Sequence, residues 1–348
     1  MEKDKHLFPY EWKLADGFPA TGIPAHKCKV FGTFICGGGS SMGYKLAGYD
    51  HLGGVELDER IAAVYKKNLH PKLLYNMDIR DFNKLPGLPK ELYELDILDG
   101  SPPCSTFSTA GSREKAWGKQ KRFAEGQKLQ TLDDLVFVYI DTIKKLMPKC
   151  CILENVSGLV KGNGKVYAKE ITKRLNAAGY QVQIFLLNGK NMGVPQSRER
   201  VFFIGIRREY GLPPLKLQFN EPLIPFREIM DCNGKSISGL SLSLWKQRIP
   251  TDKAFSDINK RVRGKGSNFN TRLCHDNAVL DTLCSQNNNV LYCAPLYLSD
   301  TERLRGATFP IDYQTEGKQQ FLTGMCVPPI MTAQISYQMY LQWLSKIK

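Results

Sequence analysis

The chain has 348 residues, 42% of them hydrophobic, enough for a full α/β domain and a smaller one around a conventional core. Its ten cysteines stand at irregular spacings with no C-x-x-C pair, which excludes a zinc ribbon or a secreted disulfide framework and makes a reducing cytosol the expected setting. A formal charge of +14 favours a polyanionic partner through counterion release from phosphates. The opening Met1-Glu2-Lys3-Asp4-Lys5-His6 lacks the apolar core of a signal peptide, and no run approaches membrane-spanning length, so neither secretion nor a membrane partner is expected.

From Val30 to Arg207 short apolar runs alternate with longer amphipathic stretches. The runs are Val30–Ile35, Leu52–Glu56, Leu73–Tyr75, Leu95–Leu98, Cys151–Leu153, Val182–Leu187 and Val201–Ile206. This βα alternation predicts an α/β fold with a mainly parallel sheet. Leu132 to Met147 carries apolar residues at helical spacing, and Pro148 ends it. The last two runs read as a hairpin, because Asn188 to Arg200 is too short for a crossover helix, so the sheet is expected to end in an antiparallel strand. After Pro213-Pro214 the periodicity fades, and residues to about Asn289 are rich in Ser, Asn, Gly, Lys and Arg. Three segments follow: 1–212 as the main domain, 213–289 as a second, irregular one, and 290–348 returning to the first with a C-terminal helix from Gln334.

Several segments carry chemistry. Val30 to Gly43 runs from a strand through Gly37-Gly38-Gly39 into a helix, and Glu56 ends the next strand. Glycines let backbone approach a nucleotide, and the acid can accept both ribose hydroxyls, although an ordinary loop is as good a reading of the turn by itself. Asp78 fits either a helix cap or an acceptor for the amine of adenine. Asp99-Gly100-Ser101-Pro102-Pro103-Cys104 ends an apolar strand in a stiffened turn that presents a thiol, either as nucleophile or as small buried hydrophobe. Glu154 ends a run expected to be a central strand, where a buried, unpaired acid keeps its proton and becomes a donor. In Gln196-Ser197-Arg198-Glu199-Arg200, strand alternation places Gln196, Arg198 and Arg200 on one face, with both guanidinium groups toward one pocket. Gly111 to Gln130, with Arg113, Lys115 and Lys119, reads as a basic lid or a plain surface loop. Lys260, Arg261, Arg263 and Lys265, followed by amide side chains, read as a nucleic-acid contact or a solvated loop.

Taken in order, the glycine turn, Glu56, Asp78, Pro103-Cys104, Glu154-Asn155-Val156 and Gln196-x-Arg198-x-Arg200 closely resemble the cytosine C5-methyltransferase family of bacterial or phage type. The resemblance continues through Leu304-Arg305-Gly306-Ala307-Thr308-Phe309-Pro310 to Gly324-Met325-Cys326-Val327-Pro328. It departs at Cys36, where many members have glycine, and at Met325-Cys326, where Asn-Ser is common. The resemblance implies a Rossmann-like mixed sheet of the S-adenosylmethionine-dependent methyltransferase type, with a small irregular target-recognition domain. The implied activity is methyl transfer from S-adenosyl-L-methionine to C5 of a flipped cytosine in double-stranded DNA. The Cys104 thiolate would add to C6, protonated Glu154 would bond N3, Arg200 would hold O2 and Arg198 would orient its neighbours. Phe34, Gly37, Gly38, Gly39, Glu56, Leu57, Asp78, Ile79, Pro103 and Leu135 would hold the cofactor. Ser105, Gln196 and the basic residues above would contact DNA. A monomer in a bacterial cytosol or phage-infected cell follows, with a restriction endonuclease as a separately acting partner. The competing readings are a transfer-RNA cytosine methyltransferase, a silent DNA-binding relative, and a nicotinamide oxidoreductase that would share only the glycine turn and Glu56.

Overall fold

A computed structural model describes residues 6–19, 23–103, 135–162, 164–266 and 271–347. The chain divides into two compact units. One comprises residues 22–187, 199–218 and 333–348, the other residues 1–21, 188–198 and 219–332.

The first of these is built on β1 (Lys29–Thr33), α1 (Gly39–Leu46), β2 (Asp50–Glu56), α2 (Glu59–Leu69), β3 (Leu73–Asn76), α3 (Ile79–Phe82) and β4 (Ile97–Gly100). It continues with α4 (Leu135–Leu146), β5 (Cys150–Val156), α5 (Gly164–Ala177) and β6 (Tyr180–Asn188) and, beyond β7 (Gln196–Ser197) of the other unit, β8 (Glu199–Arg207). The strands form one sheet in the order β3-β2-β1-β4-β5-β8-β6. Neighbours from β3 to β5 are parallel, and β8 runs antiparallel to β5, so the sheet is mixed as the sequence predicts.

The last two runs are neighbours in the sheet, as the hairpin reading expects, but the strand antiparallel to β5 does not end the sheet. It lies between β5 and β6, and β6 takes the edge. The composition explains this placement. Val201-Phe202-Phe203-Ile204 is apolar toward both faces and buried throughout, as a covered interior strand must be, whereas β6 interleaves glutamines and leaves Ile184 and Leu186 45% and 46% exposed. One core collects Phe31, Leu98, Leu153 and Phe203 from the strands with Val136, Tyr139 and Ile140 of α4 and Ile171 of α5. Asp58 caps α2 by accepting from the N–H groups of Arg60 and Ile61, which fixes where the chain leaves β2.

The other unit is sparser in regular structure: α6 (Gly239–Trp245), α7 (Phe255–Arg263), β9 (Arg272–Cys274), β10 (Leu280–Asp281), β11 (Asn289–Leu291), α8 (Asp300–Gly306) and α9 (Gln319–Met325); α10 (Pro329–Gln342) starts there and from residue 333 on belongs to the first unit. In the sparser unit, among the described residues, β10 pairs with β7 and β11 with β9. Ile237, Leu244, Phe255, Ile258, Leu273 and Val290 form its small core. The unit reaches beyond the compositional segment 213–289, and it recruits residues 1–21: Trp12 Nε1 donates to the Thr308 carbonyl at 3.1 Å, and Leu14 N to Asp312 Oδ1 at 2.8 Å. Among the described residues no helix is long and apolar enough to cross a membrane.

Candidate active site

The carboxyl ends of β1, β2, β4 and β5 carry the side chains that the sequence singles out. After β1 the chain turns through left-handed backbone at Phe34 (φ 56°), Cys36 (φ 46°) and Gly38 (φ 76°) before α1 begins at Gly39. Gly38 is required twice over. Its φ suits glycine, and a Cβ there would lie 2.4 Å from Leu69 and 2.8 Å from Tyr65. The turn is pinned by Glu56: Cys36 N donates to Oε2 at 2.9 Å, and Asp58 N donates to Oε1 at 3.0 Å. Burial pushes the Glu56 carboxyl above its ordinary range, and those N–H groups pull part of the way back. The Leu57 N–H bonds the carboxyl as well, and the lone-pair capacity left is open to a further donor.

Beside this turn Ile79 and Leu135 pack together with Phe34 and Val138, while Leu57 at the end of β2 is 37% exposed. Asp78 caps α3: its Oδ1 accepts from Arg80 N at 2.8 Å, and the Arg80 guanidinium sits 3.2 Å from Oδ2. Of its two sequence readings, this geometry realises the cap.

Glu154 is buried at the end of β5 and is not unpaired, as the sequence reading supposes. Arg200 Nε lies 3.1 Å from its Oε1, because β8 runs antiparallel beside β5 and brings Arg200 into register with Val156. The next residue, Asn155, donates from Nδ2 to the Pro102 carbonyl at 3.1 Å and so ties β5 to the segment that leads into Cys104. Nothing in the sequence marks Asn155 for this task. Pro102 is buried and Pro103 half-buried. Cys104, Ser105, Arg113, Lys115 and Lys119, with the whole proposed lid, lie outside the described residues.

Gln196 and Arg198 take common partners, both bonding Leu283, whereas Arg200 pairs with Glu154. Arg198 N–H donates to the Gln196 carbonyl at 3.1 Å, in a tight turn between β7 and β8. Arg198 is 1% exposed, and its guanidinium donates to the carbonyls of Leu283 (3.1 Å), Gly324 (2.9 Å) and Met325 (3.4 Å). Gln196 is fully buried, with Nε2 donating to the Gly306 carbonyl and Oε1 accepting from Leu283 N, so its amide is spent on the protein and does not fit a DNA contact. Lys260, Arg261, Arg263 and Lys265 are exposed at the end of α7 and just beyond, but Arg261 is engaged by Asp252 at 2.6 Å and by the Gln247 carbonyl at 2.7 Å.

The sequence reading passed over Asp99. It is buried in β4, its Oδ1 accepts from Tyr44 Oη at 3.1 Å, and burial raises its carboxyl to about 7, with the Glu154 charge adding to the rise. A strand that runs two residues further than its apolar run, through Asp99 and Gly100, conceals this acid.

Comparison with known proteins bears on the whole arrangement. The family model described as C-5 cytosine-specific DNA methylase matches residues 29–340. The Type II methyltransferase M.FnuDI of Fusobacterium nucleatum is 34% identical over 188 residues, 53% of this chain and 48% of that protein, so the match spans about half of the relative's length. Among solved structures, an E. coli prophage protein described as a DNA modification methyltransferase has a TM-score of 0.66 at 18% identity, over 92% of this chain and 100% of its own. Spodoptera frugiperda DNMT2 has a TM-score of 0.62 at 16% identity, over 90% and 100%. These two likenesses concern the fold.

Proposed function

Because the chain belongs to the C-5 cytosine-specific DNA methylase family, we propose that it methylates C5 of cytosine within a recognised sequence of double-stranded DNA, with S-adenosylmethionine as methyl donor. The observation that carries this reading is the buried Glu154–Arg200 pair, 3.1 Å apart, on the strand that Asn155 ties to the segment entering Cys104.

The residues around the glycine turn fit the cofactor. Gly38 admits no Cβ, Glu56 retains lone pairs at a strand end, and Phe34, Ile79 and Leu135 supply an apolar wall beside the Asp78 carboxylate. Glu56 would take the ribose hydroxyls, Leu57 and the apolar wall the adenine ring, and Asp78 its amine, alongside Gly37, Gly39 and Pro103. When bound, S-adenosylmethionine supplies an electrophilic methyl group on positively charged sulfur.

The chain's own residues must make C5 nucleophilic, which an aromatic pyrimidine is not. Cys104 Sγ adds to C6 as thiolate and breaks the aromaticity, and a proton at Glu154 bonds N3 and accommodates the charge that develops on the ring. Arg200 holds the O2 edge; a guanidinium has five donors, enough to keep Glu154 in place as well. After methyl transfer, loss of the C5 proton to a base and departure of the thiolate restore the ring. A cytosine in a duplex must first be flipped out at a cost of about a few kcal/mol, and the basic segment 111–130 is proposed as the cover that holds it there. Arg198 acts at a distance, by fixing the carbonyls of Leu283, Gly324 and Met325. Residues 213–289 are the proposed recognition segment, with Lys260, Arg263 and Lys265 offered to phosphates.

The test is transfer of a labelled methyl group to mixed-sequence duplex DNA and, in parallel, to transfer RNA, with Cys104→Ala as control. Label at cytosine C5 of DNA, lost in the variant, is expected. Label only on RNA, or turnover that survives Cys104→Ala, would overturn the substrate or the covalent step respectively.

A further inference from the structure

Among the described residues two cysteines are exposed, Cys232 and Cys293, and both belong to the unit that includes residues 219–332. Tyr297 N donates to the Lys235 carbonyl at 2.8 Å and Ile237 N to the Pro295 carbonyl at 2.9 Å, so the chain after Cys232 lies against the chain after Cys293. Cys293 sits in the turn that Leu291 N closes onto the Leu296 carbonyl at 2.9 Å. Asp231 N and Cys232 N both donate to Glu302 Oε1, at 2.8 and 3.0 Å, and Cys232 is held in left-handed backbone at φ 56°. The two thiols come within hydrogen-bonding reach of each other, and Cys293 Sγ also lies 3.7 Å from Met230 Sδ.

The pair brackets the small core of this unit. α6, α7, β9, β10 and β11 all lie between Cys232 and Cys293 in sequence, and so do Ile237, Leu244, Phe255, Ile258, Leu273 and Val290. A bond between the two sulfurs would close one covalent loop around that core. Such a loop removes conformations from the unfolded chain, and it matters most where the core is small. Neither thiol has a part in the methyl transfer proposed above. Among the described residues no three His, Cys, Asp or Glu side chains are grouped to hold a metal ion, so the chemistry on offer is that of a dithiol.

We propose that Cys232 and Cys293 are a redox modification site, at which a low-molecular-weight disulfide oxidises the pair to an internal disulfide that clasps the two ends of the segment holding this core. The Cys232 thiolate attacks one sulfur of the small disulfide, forms a mixed disulfide and releases one small thiolate. The Cys293 thiolate then attacks the Cys232 sulfur, forms the internal bond and releases the second. The two protons lost by the cysteines pass to the departing thiolates, and the two electrons given up by the pair reduce the small disulfide to two thiols. Burial pushes Cys293 up to about 11, with the Asp276 carboxylate adding to the rise. Burial and the Glu302 charge also raise Cys232, but its hydrogen bond with Cys293 works against them, which makes Cys232 the first to attack. Little thiolate is present near neutral pH, so oxidation is slow, while a reduced pair that gains nothing from ionising leaves the equilibrium toward the disulfide.

The test equilibrates full-length protein at mildly alkaline pH in glutathione buffers that run from reducing to oxidising. Free thiols are then alkylated, and the peptides are mapped by mass spectrometry before and after reduction. One linked pair containing Cys232 and Cys293 is expected to appear as the share of glutathione disulfide rises and to vanish with dithiothreitol. In Cys232→Ser and in Cys293→Ser the remaining thiol is expected to carry glutathione instead, because no second thiol displaces it. The unfolding midpoint of oxidised wild-type protein is expected to stand a few degrees above that of the reduced protein, a difference absent from both variants. Glutathione carried separately on the two cysteines of wild-type protein, or two free thiols at the oxidising end, overturns the proposal. A linked pair without a change of midpoint overturns the clasp.

Discussion

Cys36 is held in left-handed backbone at φ 46°, within the turn between β1 and α1. A residue with a Cβ loses about 1–2 kcal/mol there against the right-handed region, whereas glycine gives up about 0.5–1 kcal/mol to the greater freedom of the unfolded chain. The hydrogen bond from Cys36 to Glu56 uses the main-chain N–H and survives substitution. Cys36→Gly is therefore expected to stabilise the fold by up to about 1 kcal/mol, read as a rise of a few degrees in the unfolding midpoint; a lower midpoint would mean that the thiol contributes packing worth more than the strain. Single residues differ in how legible they are. Glu56 and Glu154 stand at the ends of apolar runs, so local pattern suffices to find them. Arg198 and Gln196 look alike in sequence to a substrate-facing pair, yet their partners are carbonyls and an N–H 85 to 127 residues away, which no local pattern encodes.

On the elements β2 and β4 two buried groups titrate in opposite senses. Burial lowers His51 from 6.5 to about 3, with the charge of Lys45 adding to the shift, and burial raises Asp99 from 3.8 to about 7. Between pH 3 and 6.5 the unfolded chain protonates His51 and the folded chain does not, so this group's contribution to stability falls as pH falls. Between pH 4 and 7 the folded chain holds a proton on Asp99 that the unfolded chain has lost, so this contribution falls as pH rises. Each slope is about 1.4 kcal/mol per pH unit at most, and over the shared window they cancel. Asp99→Asn should unmask a stability that climbs with pH from 4 to 6.5 relative to wild type, and His51→Leu one that declines, both measured by denaturant unfolding across that range. Parallel curves for wild type and either variant would show that the substituted group titrates alike in both states. The strand periods around these residues are readable, but β4 extends through Gly100, past the point where Asp99-Gly100 reads as a turn, and nothing local in the sequence places β8 between β5 and β6.

At the scale of the molecule, composition marks a change of character after Pro213 but not where the chain's contacts regroup. Residues 1–21 join the unit formed by residues 219–332 through bonds such as Trp12 to Thr308, 296 positions apart, and uniform polarity along a segment says nothing about such partners. The net charge of +14 does carry a quantitative consequence. If the end of α7 contacts DNA phosphates, log affinity falls linearly with log salt, and each lost cationic contact flattens the slope by about 0.9. Lys260 and Arg263 are exposed there, and Arg261 is excluded from the comparison because Asp252 already holds it. The double variant Lys260→Gln, Arg263→Gln should then reduce the slope by roughly 2 while leaving cofactor binding unchanged. A smaller affinity with an unchanged slope would mean that these cations act on the fold of the unit and not on the phosphate backbone, and the interface would have to be sought among the other basic residues of the chain.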